Sequence, residues 1–246
     1  MTSFFAAIQF LTRLPVPSFS WNERHIQRSS YFYSLTGLGL GAVFALFNVV
    51  TARWVPLPGR IVFILCISAA MTGGLHLDGL ADTVDGLFGG RDRERRLAIM
   101  RDSRIGTFGV LGLLGILSLQ FTALQELPHS GLNAALFLAP GWGRASIVLA
   151  AAITPSARTE GLGSSFMNGV RLRHAMTCFA VVSAFSLVVS PWMTLFNCVA
   201  TIAVTLLLSW YLRIRIGGQT GDTLGATNEL VETAVFWTYV IVGSRQ

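Results

Sequence analysis

Residues 60–78 read RIVFILCISAAMTGGLHLD, a run that opens on Arg60, closes on Asp78 and carries no Asp, Glu, Lys or Arg between them. A helix needs about 20 mostly apolar residues to cross the hydrocarbon core of a bilayer, and this run is long enough. The pattern repeats on both sides of it, at 30–52, 105–124, 132–154, 174–190, 192–212 and 223–243. The expected fold is therefore all-α, a polytopic transmembrane helix bundle of about seven spans, six at the fewest and eight at the most. The uncertainty lies at the fifth and sixth runs, which only Pro191 separates.

Composition agrees with a membrane location. Of 246 residues 52% are hydrophobic and 12% charged, and the mean hydropathy is +0.60, too apolar for an ordinary soluble domain. All 18 basic side chains are arginines, giving a net charge of +6. With the N-terminus placed in the cytoplasm, fourteen of them fall in inner loops, three (Arg53, Arg60, Arg245) lie outside and Arg144 lies within the fourth run. That asymmetry accounts for the basic charge by orientation in the bilayer. No basic stripe with interleaved aromatics points to nucleic acid as a partner. Cys66, Cys178 and Cys198 sit in apolar stretches without metal-ligand spacing and read as small hydrophobes. The opening MTSFFAAIQFLTRLPVP lacks the basic start and cleavage site of a signal peptide. It reads as a short interfacial helix stopped by Pro15 and Pro17. No repeat or linker interrupts the chain, so residues 1–246 form one membrane domain, and homo-oligomerisation is left open. Glycines at 37, 39, 41, 106, 109, 112 and 115 would let helices approach closely.

The second run ends in GGLHLDGLADTVDG, where Asp78, Asp82 and Asp85 stand at i, i+4 and i+7. At 100° per residue they share one helical face, at about 0°, 40° and −20°. Two carboxylates ~6 Å apart repel by roughly 3 kcal/mol at an effective dielectric of ~20. The second span runs inward in this orientation, so the cluster is expected at its C-terminus, where the macrodipole disfavours anions. A bound cation resolves both problems, and an oxygen-only ligand set without thiolates selects a hard ion, Mg²⁺ with Mn²⁺ as substitute. His76 points about 160° away from this face and reads as a packing or hydrogen-bonding group. The alternatives are a solvated helix end and the cation or proton path of a transporter.

A second acidic stretch, GGQTGDTLGATNELVE, opens the last run. Gly218, Thr220 and Gly221 would present backbone N–H groups at a helix start, a site suited to phosphate. Asp222 and Glu229 fall on one face with Glu232, and Gly225 leaves room beside them. The expected metal ligands are thus Asp78, Asp82, Asp85, Asp222 and Glu229, with Asp82, Glu229 or Glu232 as catalytic carboxylates. Arg101 and Arg104 in MRDSRIGTFG, and the intramembrane Arg144, are the expected phosphate contacts. Metal carboxylates, arginines and an anion-binding helix start describe phosphoryl transfer, and no Ser-His-Asp, Cys-His, Walker-type or dinucleotide motif competes with that reading.

FLTRLPVP (10–17), GGLHLDGLADTVDGLFGG (73–90), MRDSRIGTFG (100–109) and GGQTGDTLGA (217–226) closely resemble, in the same order, the cobalamin synthase family of adenosylcobinamide-GDP ribazoletransferases. That resemblance implies a Mg²⁺-dependent multi-pass enzyme of the cytoplasmic membrane, acting at its cytoplasmic face. It implies joining of adenosylcobinamide-GDP to α-ribazole or its 5′-phosphate with release of GMP. A looser similarity links the chain to the CDP-alcohol phosphotransferases and their motif D-x2-D-G-x2-A-R-x8-G-x3-D-x3-D. Asp82, Asp85 and Gly86 match it, whereas Gly89 and Gly90 replace the Ala-Arg pair and Ile99 stands at the later glycine. The missing acidic pair is then expected from Asp222 with Glu229 or Glu232.

Overall fold

The computed structural model describes residues 2–17 and 23–243. Among these residues twelve α-helices follow one another: α1 (Thr2–Leu11), α2 (Glu23–Ser29), α3 (Tyr33–Thr51), α4 (Leu57–Thr72), α5 (Leu75–Gly89), α6 (Arg93–Ile99), α7 (Thr107–Glu126), α8 (His129–Ile153), α9 (Leu162–Gly169), α10 (Leu172–Val189), α11 (Pro191–Ile216) and α12 (Gly221–Gly243). A 3-10 turn at Ser30–Phe32 joins α2 to α3. There is no strand among the described residues, and one isolated parallel bridge pairs Ser156 with Gln219.

Among the described residues five helical stretches are long and apolar enough to cross a membrane: His25–Thr51, Thr107–Glu126, Gly131–Ile153, Leu172–Val189 and Pro191–Ile216. A sixth is added if α4 and α5 make one bent span. The short N-terminal helix α1 forms, with Ala6, Ala7 and Leu11 buried. Pro191 opens α11 at its first position, so the fifth and sixth runs are two helices. The seventh run forms as α12, but it is not among the helices apolar enough to cross. Its polar residues Thr223, Thr227, Asn228, Glu229, Glu232 and Thr233 are all buried by neighbouring helices.

α11 shows why this is a membrane architecture. Thr194, Asn197, Thr201, Thr205 and Ser209 form a buried stripe at helical spacing, while Trp192, Leu195, Val199, Leu206, Leu207 and Trp210 face outward. In water the two faces would be exchanged; against lipid, apolar side chains cost nothing to expose, while Thr194 Oγ1 donates to Ser186 Oγ of α10 at 3.0 Å and Ser209 Oγ accepts from Gln219 Nε2 at 3.1 Å.

The second run is not a straight span. α4 ends at Gly73 and α5 begins after Gly74, with a 90° bend between them. Both glycines take left-handed φ, 65° and 71°. The Gly74 N–H donates to the Ala69 carbonyl at 2.8 Å and that of Gly73 to Ala70 at 3.2 Å, a Schellman ending that only residues free to adopt positive φ make cheaply.

α8 and α12 form the centre. α8 packs chiefly on α3, α12 and α10, and α12 also on α5, α11 and α7. The small-residue expectation holds where α3 crosses α8: a Cβ on Gly37 would overlap the Pro140 carbonyl and one on Gly41 that of Phe137, whereas Gly39 and Gly115 face open space. Gly41→Leu is therefore expected to destabilise the bundle by about 1–3 kcal/mol, readable as a lowered thermal midpoint in detergent, while Gly39→Leu leaves it unchanged. Of the arginines expected on the outer side, Arg60 is buried and donates to Asn48 Oδ1 at 2.7 Å, and Arg245 lies outside the described residues.

Candidate functional site

The bend moves the acidic face to the opposite end of a helix from the one expected. Asp78 lies in the first turn of α5, where the macrodipole favours a carboxylate. α5 then runs against α12 with almost no space between backbones. A Cβ on Gly79 would stand 2.6 Å from the Asp222 carbonyl, and one on Gly225 would be 3.2 Å from His76 Cα. This crossing sets Asp222 beside Asp78 and Asp82. Asp82 is acted on by the like charges of Asp78, Asp222 and Asp85 and by the opposite charge of Arg158.

Arg158 was counted in the sequence only among loop arginines. It comes from the segment between α8 and α9, and its Nη2 lies 3.0 Å from Asp222 Oδ2. That segment is held to the start of α12 by backbone bonds, Gln219 N–H to the Pro155 carbonyl and Ala157 N–H to the Gln219 carbonyl. Gly218 is packed against Pro155 in the same contact. Thr220 caps α12: its Oγ1 accepts the Thr223 N–H at 3.2 Å, and Thr223 Oγ1 accepts the Thr220 N–H at 2.7 Å. Gly221, next in line, faces open space. Of the expected phosphate cradle, Gly218 and Thr220 therefore build the turn, and Gly221 borders a cavity.

The other expected ligands lie elsewhere. Asp85 is buried, with Oδ2 accepting the Gly106 N–H and Oδ1 the Gly109 N–H, each at 2.7 Å. Its carboxylate thereby anchors α5 at the positive end of α7, which also explains why Gly106 and Gly109 are glycines: a Cβ on either would overlap that carboxylate. Glu229 is seven residues beyond Asp222, about 10 Å along α12, and accepts a bond from Gln120 Nε2 at 3.0 Å. Glu232 takes Arg144 as its ion-pair partner, both buried, and Asn228 Nδ2 donates to the same oxygen at 2.7 Å. Arg144 Nη2 lies 3.3 Å from His76 Nδ1. The single five-carboxylate centre expected from sequence is thus divided among three places: a mouth of Asp78, Asp82, Asp222 and Arg158, the Asp85 anchor at the start of α7, and an interior network of Glu229, Glu232, Arg144, His76, Asn228 and Gln120. Among the described residues no three His, Cys, Asp or Glu side chains converge as a ready-made set of metal ligands.

Arg144, expected on phosphate, is occupied by Glu232 because an interior guanidinium needs an anion at all times. Arg104 is exposed and forks onto Asp102, with contacts of 3.0 and 2.7 Å that hold the Asp102 carboxyl below its usual range. Arg101 is exposed in the same loop. Arg93 and Arg96, read as topogenic, also close the end of α11: Arg93 Nε donates to the Ile216 carbonyl at 2.9 Å and Arg96 Nη1 to that of Arg215 at 3.1 Å.

Two cavities flank the first turn of α5 and share Phe10, Leu75 and Asp78. One of about 240 Å³ lies towards α9 and α12, and one of about 610 Å³ lies towards Arg13 and α7. Asp78 lines both cavities and Asp222 the smaller one, an arrangement suited to a reaction between two bound molecules.

Comparison with known proteins gives the same direction. The family model described as cobalamin-5-phosphate synthase (CobS) matches residues 3–240. The adenosylcobinamide-GDP ribazoletransferase of Thermoanaerobacter pseudethanolicus is 38% identical over 240 residues, covering 96% of both chains. That of Escherichia coli O139:H28 is 39% identical over 239 residues, 93% of this chain and 95% of its own. No solved structure matches. With a family model and full-length relatives agreeing from the first helix to the last, the chain belongs to the cobalamin-5-phosphate synthase family.

Proposed function

We propose that this chain is an adenosylcobinamide-GDP ribazoletransferase, joining adenosylcobinamide-GDP to α-ribazole or its 5′-phosphate and releasing GMP at the cytoplasmic face of the inner membrane. The observation that carries the reading is the α5–α12 crossing, which sets Asp222 and its partner Arg158 beside Asp78 and Asp82, with Asp78 lining both cavities and Asp222 the smaller. Family membership supplies the substrates, and the arginine asymmetry of the loops supports the orientation.

The mouth fits a divalent metal in donor chemistry: three carboxylates with oxygen donors only and an excess of negative charge that Arg158 alone does not cancel. Asp78, Asp82 and Asp222 would hold Mg²⁺, with Mn²⁺ as substitute. When bound, such an ion neutralises charge on the phosphate oxygens as the bond to GMP breaks. The ribazole 3′ hydroxyl oxygen forms a bond to the cobinamide-bearing phosphorus, the phosphorus–oxygen bond to GMP breaks, and Asp82 takes the hydroxyl proton. Arg158 moves between Asp222 and the departing phosphate, for which a guanidinium fork is suited. The first-turn N–H groups at Gly221 and Asp222 have no acceptor within their helix and add donors on the same side. Arg101 meets the incoming diphosphate at the rim, and the Arg104–Asp102 fork holds its loop. Glu229, Glu232 and Arg144 are given to the interior framework.

Protein in nanodiscs, supplied with adenosylcobinamide-GDP and α-ribazole, is expected to release GMP only with divalent metal. EDTA lowers the rate at least about a hundredfold, and Mg²⁺, or less well Mn²⁺, restores it. Turnover that survives full chelation removes the metal from the mechanism, and no GMP release with metal present overturns the function.

A further inference from the structure

The segment FLTRLPVP (10–17) closes α1 and lies against the bend between α4 and α5. Thr12 is buried and spends its hydroxyl on the segment itself: Oγ1 donates to the Ile8 carbonyl at 2.7 Å and accepts the Leu14 N–H at 3.2 Å. The Arg13 N–H donates to the Met71 carbonyl at 2.7 Å, which fastens the segment to the end of α4. The Arg13 side chain then crosses Gly73, so closely that a Cβ there would overlap its Nε. Glycine at 73 thus provides both the left-handed φ of 65° and the room for this arginine.

That course brings Arg13 to the larger cavity, about 610 Å³, which it lines together with Gln9, Thr12, Gly73 and Asp78. Arg13 is exposed, and no ion pair among the described residues includes it. Arg158, Arg104 and Arg144 by contrast hold Asp222, Asp102 and Glu232. A guanidinium placed by its backbone and its stem, with its fork of donors unspent, suits a phosphate group. The mouth makes such a cation necessary. Asp78, Asp82 and Asp222 repel an incoming diphosphate, and an arginine in the cavity that Asp78 lines opposes that repulsion. The cavity also borders the first turn of α5, the positive end of that helix.

We propose that Arg13 binds the diphosphate of the nucleotide-activated substrate, so that the larger cavity takes adenosylcobinamide-GDP by its diphosphate and brings the phosphorus to be attacked beside Asp78. This assignment rests on the ribazoletransferase reading and says where its anionic substrate is held. A lipid headgroup phosphate offers a guanidinium the same chemistry, and α1 is a short apolar helix of the kind that lies at an interface, so the test separates the two sources.

The test uses full-length protein in phosphatidylcholine nanodiscs, with equilibrium dialysis of adenosylcobinamide-GDP and of adenosylcobinamide, which lacks both phosphates, in the absence of α-ribazole. Arg13→Gln is expected to weaken adenosylcobinamide-GDP binding about tenfold or more, to leave adenosylcobinamide within about twofold and to keep the thermal midpoint. Arg13→Lys keeps the charge without the fork and is expected to fall between wild type and Arg13→Gln. In turnover, KM for adenosylcobinamide-GDP rises in step with the lost affinity, while KM for α-ribazole stays within about twofold. Should Arg13→Gln not fold, Arg13→Lys decides by the same comparison. Equal weakening of both corrinoids gives Arg13 a part in the shape of the cavity and overturns the proposal. A rise confined to KM for α-ribazole 5′-phosphate hands the arginine to the other substrate and overturns it too. With phosphatidylglycerol added to the nanodiscs, a thermal midpoint that rises for wild type but not for Arg13→Gln, while adenosylcobinamide-GDP affinity is the same in both, assigns the arginine to a lipid headgroup, which also overturns it. Unchanged affinity in Arg13→Gln beside wild-type GMP release removes the subsite and leaves the function standing. Conversely, an affinity that depends on Arg13 in a wild-type protein unable to release GMP keeps the subsite and removes the function.

Discussion

Asp82→Asn is expected to lower kcat for GMP release by at least about a thousandfold without loss of stability. The substitution is isosteric and takes away one charge from a group whose neighbours Asp78, Asp85 and Asp222 all repel it. In the folded state that repulsion opposes packing of α5 against α12, so removing it leaves the fold as stable as before or more so. The same change removes a proton acceptor, worth about 10²–10⁴ in rate, and one carboxylate of the site that would hold metal. Rate and stability are thus expected to move independently, and the paired measurement is GMP release against thermal midpoint. A variant that loses activity only in proportion to lost folded protein would return Asp82 to the framework. Asp85→Asn is the informative contrast. Asp85 is bonded to the N–H groups of Gly106 and Gly109, so its substitution replaces one acceptor by an amide donor facing a donor, and stability is expected to fall along with activity.

Arg144→Ala is expected to cost about 3–5 kcal/mol of stability, because it leaves Glu232 as an unpaired buried charge in the middle of the bundle. Only Asn228 Nδ2 would remain bonded to the Glu232 oxygen, and His76 Nδ1 would lose the donor that faces it. The expected result is poor recovery of folded protein and a thermal midpoint lowered well beyond that of Asp82→Asn. The double substitution Arg144→Met with Glu232→Leu removes both charges and is expected to restore most of the stability, since a buried ion pair replaced by apolar residues of similar size is commonly neutral. It also bears on chemistry. A double variant that folds and still releases GMP excludes Glu232 as the catalytic carboxylate; one that folds but is inactive with normal α-ribazole affinity brings it back.

Much of the site was legible locally. Helical spacing put Asp78, Asp82 and Asp85 on one face and turned His76 away, and in the structure His76 faces Arg144 and α12 rather than the carboxylates. Gly225 was read as leaving room, and α5 fills that room. The division of the carboxylates was not legible. Asp85 and Asp82 are equally acidic in a sequence, and only the start of α7 beside one of them separates an anchoring carboxylate from an open one. Glu229 and Asp222 share a helical face, but about 10 Å of rise carries them to different depths. Arg158 had no local mark, since its role comes from a loop held against the start of α12 across more than sixty residues of chain. The Gly73–Gly74 pair was a signal within the deciding run itself: two adjacent glycines in an apolar stretch mark a place where left-handed backbone can end one helix and start another.

Membrane location, helical class and acidic stripe follow from hydropathy and a 3.6-residue period, which are properties of a chain segment whatever surrounds it. Which carboxylates face one another, which arginine meets them, and at which end of a helix they stand depend on how closely α5, α7, α8 and α12 approach. Those approaches are set by glycines meeting backbone on other helices and by buried charges finding partners, neither of which a single segment contains.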